Sequence, residues 1–320
     1  MSLQTLVWPG SKPSRGVAMS GVMTMSRLNK LMSNGYGMGR DEQYKSWIRI
    51  RRKQSSPVSN LHSMPSPLYE RSLQLLSGLE FAAAHVALWL GANEIREQHP
   101  LWPEPHLHPR TGRCWESNHS TLFAPGLLEI AKEAGIKHGV FPGTRIPFVA
   151  TIDFTLAVGP IQNSRLVHWS CKPRELLDRA PNRNRIRERI QLEMLYSRAV
   201  GASHIIIDGT DFTQRLIGNL DWFMPLRSQN KDLDSRDRIE EFSHWFLCVA
   251  DDSVTNAKHY AAKKMQLGYN EVEKLFRASA WKGYINIDFF EPVIMSRPLS
   301  LDTKKRKQQL SIKLLGGLYA

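Results

Sequence analysis

Cysteine is scarce in this chain: three in 320 residues, Cys114, Cys171 and Cys248, odd in number and far apart. That excludes a disulfide framework and paired-cysteine metal motifs, and it fits a reducing compartment. Long apolar runs are missing as well. The longest, around Phe81 to Leu90, is interrupted by His85 and preceded by Glu80, and it falls short of the ~18 residues that a membrane span requires. The first twenty residues place Trp8, Pro9, Gly10, Lys12 and Pro13 where a secretory signal needs an apolar centre, so a cytoplasmic protein with no membrane partner is expected. No repeat with a period of ~20–50 residues is found, which excludes solenoids and propellers. Acidic residues are the last shortage: 30 Asp and Glu face 43 Lys and Arg, a formal net charge of +13. The surplus points to a polyanionic partner. With 42% hydrophobic residues and nine Trp, disorder throughout is excluded. The length is about twice that of a common domain, so two folded units are expected.

The charge is concentrated in residues 1–60, in residues 165–198 and in residues 301–320. Residues 1–40 mix Gly, Ser, Met and basic side chains without helical or strand period, and read as a disordered basic lead. From Leu73 to Leu90, Leu73, Leu76, Ala83, Ala87 and Leu90 recur at steps of three, four and seven, the core stripe of a helix. Trp102 to Leu128, rich in Pro, His and Gly, reads as an inserted loop. Phe148 to Val158 and Arg165 to Lys172 predict two strands joined by a hairpin at residues 159–164. A basic amphipathic helix is expected from Arg183 to Arg198, then a buried parallel strand over His204 to Asp208. Together these elements define an α/β core, residues 41–218. Three short helices over Ile239–Val249, Val254–Met265 and Tyr269–Trp281, with a strand over Tyr284–Phe290, suit a winged-helix unit, residues 219–300. A basic tail, residues 301–320, follows.

Several charged residues stand where packing alone does not put them. Glu80 occupies the vacant position in the apolar stripe of its helix, and a carboxylate buried there must be neutralised, paired or bound to a cation. The plain alternative is a solvent gap. Asp153 alternates with Thr151 and Thr155 on one strand face, which alone reads as a solvated face. Centring the hairpin turn between Ile161 and Gln162 pairs residues whose numbers sum to 323, so Asp153 falls opposite Ser170, with Lys172 on the diagonal. Glu193, three residues past Ile190, lies on the packing face of the basic helix and can aim at the same spot. Such a cluster suits phosphodiester hydrolysis. Magnesium, a hard cation, takes one or two carboxylates plus waters and phosphate oxygens, and a lysine offsets charge that builds on the phosphate. Arg179, Arg183, Arg185, Arg187 and Arg189, with Lys304, Lys305, Arg306 and Lys307 of the tail, are the candidate phosphate-gripping cations. His106, His108, Cys114 and His119 of the insertion invite a zinc reading, although their spacing matches no finger.

In order along the chain, Leu76-Ser77-Gly78-Leu79-Glu80, Asn93 to Leu101, Gly135-Ile136-Lys137-His138, Ile152-Asp153-Phe154 and Cys171-Lys172-Pro173 resemble the TnsA family, the endonuclease subunits of heteromeric cut-and-paste transposases. Gly37 to Trp47 is similar to that family's Gly-rich approach to its first strand. The resemblance covers roughly residues 35–290. It implies a restriction-endonuclease-like (PD-(D/E)XK) mixed sheet flanked by helices, followed by a winged-helix domain, in the bacterial cytoplasm. It also implies magnesium-dependent nicking of the 5′ strands at transposon ends, with manganese as a substitute. The implied partners are double-stranded DNA, an integrase-type transposase and an AAA+ ATPase regulator. Position by position, Glu80, Asp153 and Lys172 match the catalytic set, and Glu193 the acidic position of the following helix. Ser170 departs from the pattern, because this fold usually has Glu or Gln two residues before the lysine. A hydroxyl is a weaker ligand than a carboxylate, so of the metal candidates Ser170 and Glu193 the second metal position is expected to depend on Glu193. The competing expectations are a stand-alone restriction or repair nuclease of the same fold and a non-catalytic DNA-binding regulator.

Overall fold

A computed structural model describes residues 22–48, 50, 60–111, 122–160, 163–179, 183–225, 236–301 and 304–316. Its centre is a mixed four-stranded sheet in the order β3-β6-β7-β8, made of Ala92–Leu101 (β3), Ala150–Val158 (β6), Arg165–Cys171 (β7) and Ser203–Ile207 (β8). The first three strands run antiparallel and β8 lies parallel to β7. Small two-stranded pieces flank it: His62–Met64 (β1) with Leu73–Leu75 (β2), and His106–Leu107 (β4) with Phe123–Ala124 (β5). The helices are Met25–Ser33 (α1), Gly78–Trp89 (α2), Leu127–Glu133 (α3), Arg174–Arg179 (α4), Arg183–Ala199 (α5), Gln214–Phe223 (α6), Arg236–Leu247 (α7), Val254–Met265 (α8), Tyr269–Lys282 (α9) and Lys305–Leu315 (α10). The chain is thus α/β, with a mixed sheet flanked by helices.

The hairpin register is the expected one. Phe154 pairs with Trp169 and Val158 with Arg165, so the numbers sum to 323. One sheet side packs Phe154, Leu156, Val167 and Trp169 into a cluster with Leu79 and Ala83 of α2 and Leu216 and Phe223 of α6. Another cluster joins Ile152 and Leu101 to Leu127 and Ile130 of α3 and to Leu192 and Tyr196 of α5. Helices α7–α9 do not stand apart, because Phe242, Phe246 and Phe276 belong to the same cluster as the sheet. The expected boundary between residues 218 and 219 falls inside α6, whose Leu216, Leu220 and Phe223 are buried in that shared core.

Six expectations are corrected. The helix placed over Leu73–Leu90 begins only at Gly78, since Ser77 caps it and Leu73–Leu75 is strand β2. The lead is ordered from Val22 onward: Thr24 caps α1, and Met23 and Leu28 are buried against Phe141 and Val149; residues 1–21 lie outside the described residues. Within the insertion, β4 and β5 pair, and Ala124 and Leu127 are buried; residues 112–121 lie outside the described residues. Among the described residues Tyr284–Phe290 forms no ladder but a single bridge, Ile287 to Leu301, although Ile285, Ile287 and Phe289 are all buried. Within the tail, Lys305–Leu315 is a helix, because Leu310, Leu314 and Leu315 recur at helical spacing and bury themselves, and the Leu314 carbonyl accepts from Trp169 Nε1 at 2.8 Å. Strand β8, expected to be buried on both faces, is an edge strand with Ile206 41% exposed.

Candidate active site

The β6–β7 ladder is regular from Val158–Arg165 to Phe154–Trp169. At the next pair, Asp153 and Ser170, a carboxylate takes the place of a backbone acceptor. Asp153 Oδ2 accepts from the Cys171 amide at 2.7 Å and from Lys172 Nζ at 2.5 Å. The Lys172 amide turns the other way and donates to the Ile207 carbonyl of β8 at 2.9 Å. Strand β7 therefore parts from β6 at the point where the two candidate catalytic side chains meet. Their ion pair is nearly closed off from water, at 14% and 10% side-chain exposure. Burial opposes the charge on Lys172, but the carboxylates of Asp153 and Glu193 outweigh it and hold the amine above its ordinary value. The lysine stays an ammonium.

Glu80 is the third residue of α2, and its contacts are those of a helix start. Ser77 Oγ accepts from the Glu80 amide at 3.1 Å and donates to Glu80 Oε1 at 3.2 Å, while the Leu76 amide donates to Oε2 at 2.9 Å. Gln98 Nε2, from β3, donates to the same oxygen at 2.9 Å. Burial, and then the negative charge of Asp153, push the Glu80 carboxyl up to about 8. The pattern Ser77-x-x-Glu80 is a helix-start signature readable in the sequence, and with the return bond taken from the Leu76 amide it explains Glu80 better than a gap in an apolar stripe does. Gln98 carries no such signal.

Ser170 and Glu193 face each other rather than a common open position. The Ser170 hydroxyl donates to Glu193 Oε2, so the His204 nitrogen 2.7 Å away, Nε2, supplies the hydrogen of its own bond to Ser170 Oγ. Arg189 Nε donates to Glu193 Oε1 at 3.0 Å, and its Nη2 reaches the Thr151 carbonyl at 3.2 Å. Burial lowers the His204 pKa, and Glu193 opposes that shift. His204 and Thr151 were not among the sequence candidates; each becomes visible only once β8 and β6 are laid in register.

Of the candidate DNA contacts, Arg187 is exposed, and Arg185 is half-exposed, paired with Glu188 at 2.7 Å and bound to the Lys137 carbonyl at 2.9 Å. Arg179 ends α4 and Arg183 begins α5. The tail is not a free run of cations. Arg306 pairs with Asp288 at 3.0 Å, and Lys307 lies over the Trp89 ring at 4.9 Å, where burial pushes its amine down to about 8. Lys304 and Lys305 are exposed at the helix start. In the insertion, His106 uses both nitrogens, on the Glu104 carbonyl at 3.0 Å and the Tyr196 hydroxyl at 2.8 Å. His108 Nδ1 accepts from the Arg110 amide at 3.1 Å. Cys114 and His119 lie outside the described residues.

Among the described residues no group of three or more His, Cys, Asp or Glu is arranged to hold a metal ion. Glu80 and Asp153 are two. Both are buried, they repel one another, and they have the hard oxygen chemistry that magnesium or manganese prefers. That donor set fits such a cation. No helix among the described residues is long and apolar enough to cross a membrane. No family model matches the chain, and none of the curated proteins is significantly similar to it.

Proposed function

We propose that this chain is a magnesium-dependent DNA endonuclease, the subunit of a cut-and-paste transposase that nicks the 5′ strands at transposon ends. What carries the reading is the convergence of Glu80, Asp153 and Lys172, from α2, β6 and β7, at the parting of two central strands. In this reading the sheet is of the restriction-endonuclease type, and α7–α9 form a winged-helix unit built onto it. The partners are the transposon-end duplex, an integrase-type transposase and an AAA+ ATPase, in the bacterial cytoplasm.

Glu80 and Asp153 would hold the cation, which when bound polarises the scissile phosphate and acidifies a water. Lys172, kept charged by Asp153, offsets the negative charge that develops on the phosphate. Arg185 and Arg187 track the flanking backbone, and Arg189 divides its guanidinium between Glu193 and the Thr151 carbonyl.

The test is nicking of an end-containing duplex by the chain assembled with its transposase partner. Asp153→Asn, Glu80→Gln and Lys172→Met should each lose more than ~10²-fold in rate while keeping the circular dichroism of the parent. The purified chain alone should leave plasmid DNA nearly intact. Near-normal nicking by Asp153→Asn would sink the proposal.

A further inference from the structure

Gln98 stands inside β3 with φ +51. That is the left-handed region, which a long side chain enters only at a cost. The other non-glycine residues with positive φ among those described, Asp41, Gln266 and Lys304, sit at helix ends, where the chain turns anyway. Gln98 is different: it is 1% exposed and lies mid-strand. Its neighbours keep register, Glu97 with Phe154 and His99 with Ile152, so Gln98 lies across from Asp153.

Both ends of its carboxamide are bonded. Nε2 donates to Glu80 Oε2 at 2.9 Å, and Oε1 accepts from Thr151 Oγ1 at 3.4 Å. The nitrogen is thus set toward Glu80, and the oxygen is left for the Thr151 hydroxyl. Glu80 is thereby gripped from two secondary-structure elements. Ser77 and the Leu76 amide hold it from its own helix start, and Gln98 from the sheet strand that faces Asp153. Without the Gln98 donor the carboxylate keeps only its capping partners and is free to swing toward Ser77.

We propose that Gln98 is a positioning residue: its strained backbone holds the carboxamide, oriented by Thr151, onto Glu80, so that the carboxyl group stays turned toward Asp153 for the divalent cation. This rests on the metal-dependent reading above. Backbone strain retained inside a strand is explained by the contact it makes, since an unstrained residue here would carry its side chain elsewhere. Partners of this kind commonly affect metal affinity by ~10- to 100-fold.

The experiment is a manganese titration of the metal-free full chain, with free Mn²⁺ followed by electron paramagnetic resonance and melting temperature measured in parallel. Gln98→Asn keeps an amide and tolerates the left-handed backbone, but withdraws the donor by one methylene. Mn²⁺ binding should weaken ~10-fold. Thr151→Val, which removes only the orienting hydroxyl, should weaken it by about threefold and serves where Gln98→Asn does not fold. In the Glu80→Gln background, Gln98→Asn should add nothing, because the group it positions has changed. Parental Mn²⁺ affinity in Gln98→Asn, or an equal loss from it with and without Glu80, overturns the inference and leaves the nuclease reading standing. Failure of the parent chain itself to bind Mn²⁺ overturns the nuclease reading, and this inference with it.

Discussion

Glu80 should make the metal-free protein lose stability as pH rises. Its carboxyl ionises near the ordinary 4.5 in the unfolded chain and near 8 in the native state, first because it is buried and second because Asp153 is negative. A native pKa above the unfolded one means that the folded state binds the proton more tightly. The stabilisation is fully present below about 4.5 and is lost as pH climbs through about 8. A single proton limits the slope to about 1.4 kcal/mol per pH unit. For a chain of 320 residues, with a melting entropy of roughly 2 cal/mol/K per residue, that corresponds to about 2 °C per pH unit. The assay is the melting temperature between pH 5.5 and 8.5 in chelator, for the parent and for Glu80→Gln, which keeps shape and cannot ionise. The two curves should converge or cross by several degrees over that window, and other titrating groups cancel in the difference. Saturating Mg²⁺ should abolish the slope in the parent by replacing the proton, and should do less for Glu80→Gln. A difference that is flat in pH, or equal stabilisation of both proteins by Mg²⁺, would refute the argument that Glu80 is the buried half of a cation site.

Leu28→Ala should destabilise the fold by about 2–4 kcal/mol in urea denaturation, because Leu28 is buried against Phe141 and Val149; a loss within 0.5 kcal/mol, the usual span of a surface change, would mean that α1 does not pack there. Arg187→Ala should lower the salt slope of duplex binding by about one while sparing stability, as expected of an exposed phosphate contact. Arg189→Ala should instead weaken the melting transition, because it strips the buried Glu193 of its cationic partner; equal stability of the two variants would contradict that. Glu193→Ala should slow nicking more than Ser170→Ala, since water replaces a hydroxyl more readily than a carboxylate, and the reverse order of rates would remove Glu193 from the site.

The parts of the fold legible in the sequence are those whose partners lie close along the chain. The β6–β7 register followed from alternation and a short turn, α5 from its basic amphipathic pattern, and α8 from its bounds, Val254–Met265. What escaped is held by distant partners. Strand β3 carries the charged Glu94, Arg96 and Glu97 without the alternation of a half-buried strand. They are buried because Arg40 pairs with Glu94 and Arg71 with Glu97 at 2.9 Å, from far earlier in the chain. Helix α1 offers one short apolar stripe, and nothing local announces Phe141 and Val149 as its seat. In α10 the leading cations masked Leu310 and Leu314, whose burial depends on packing against the core that includes Trp169. Asp153 and Lys172 could be brought together by register arithmetic, whereas Glu80 was legible only as the charged position in an apolar stripe. Gln98 could not be found, because its conformation runs against the preference of its residue type.

The departure at Ser170 acquires a physical meaning from its neighbours. A carboxylate or carboxamide at that strand position would bring its own oxygen to the site. A serine is shorter, and its single proton goes to Glu193, so the negative charge enters from α5 instead. That charge is buried and must be compensated. Arg189 supplies a cation one helical turn earlier, and His204 closes the network from the edge strand. Lys172 senses Glu193 as well as Asp153, both raising its pKa, so the ammonium lies in the field of two carboxylates that reach it from different elements. The helix that carries the exposed arginine Arg187 therefore also helps set the charge state of the candidate catalytic lysine. A duplex that displaced α5 while engaging those arginines would change the electrostatics at Asp153 and Lys172 without touching either residue.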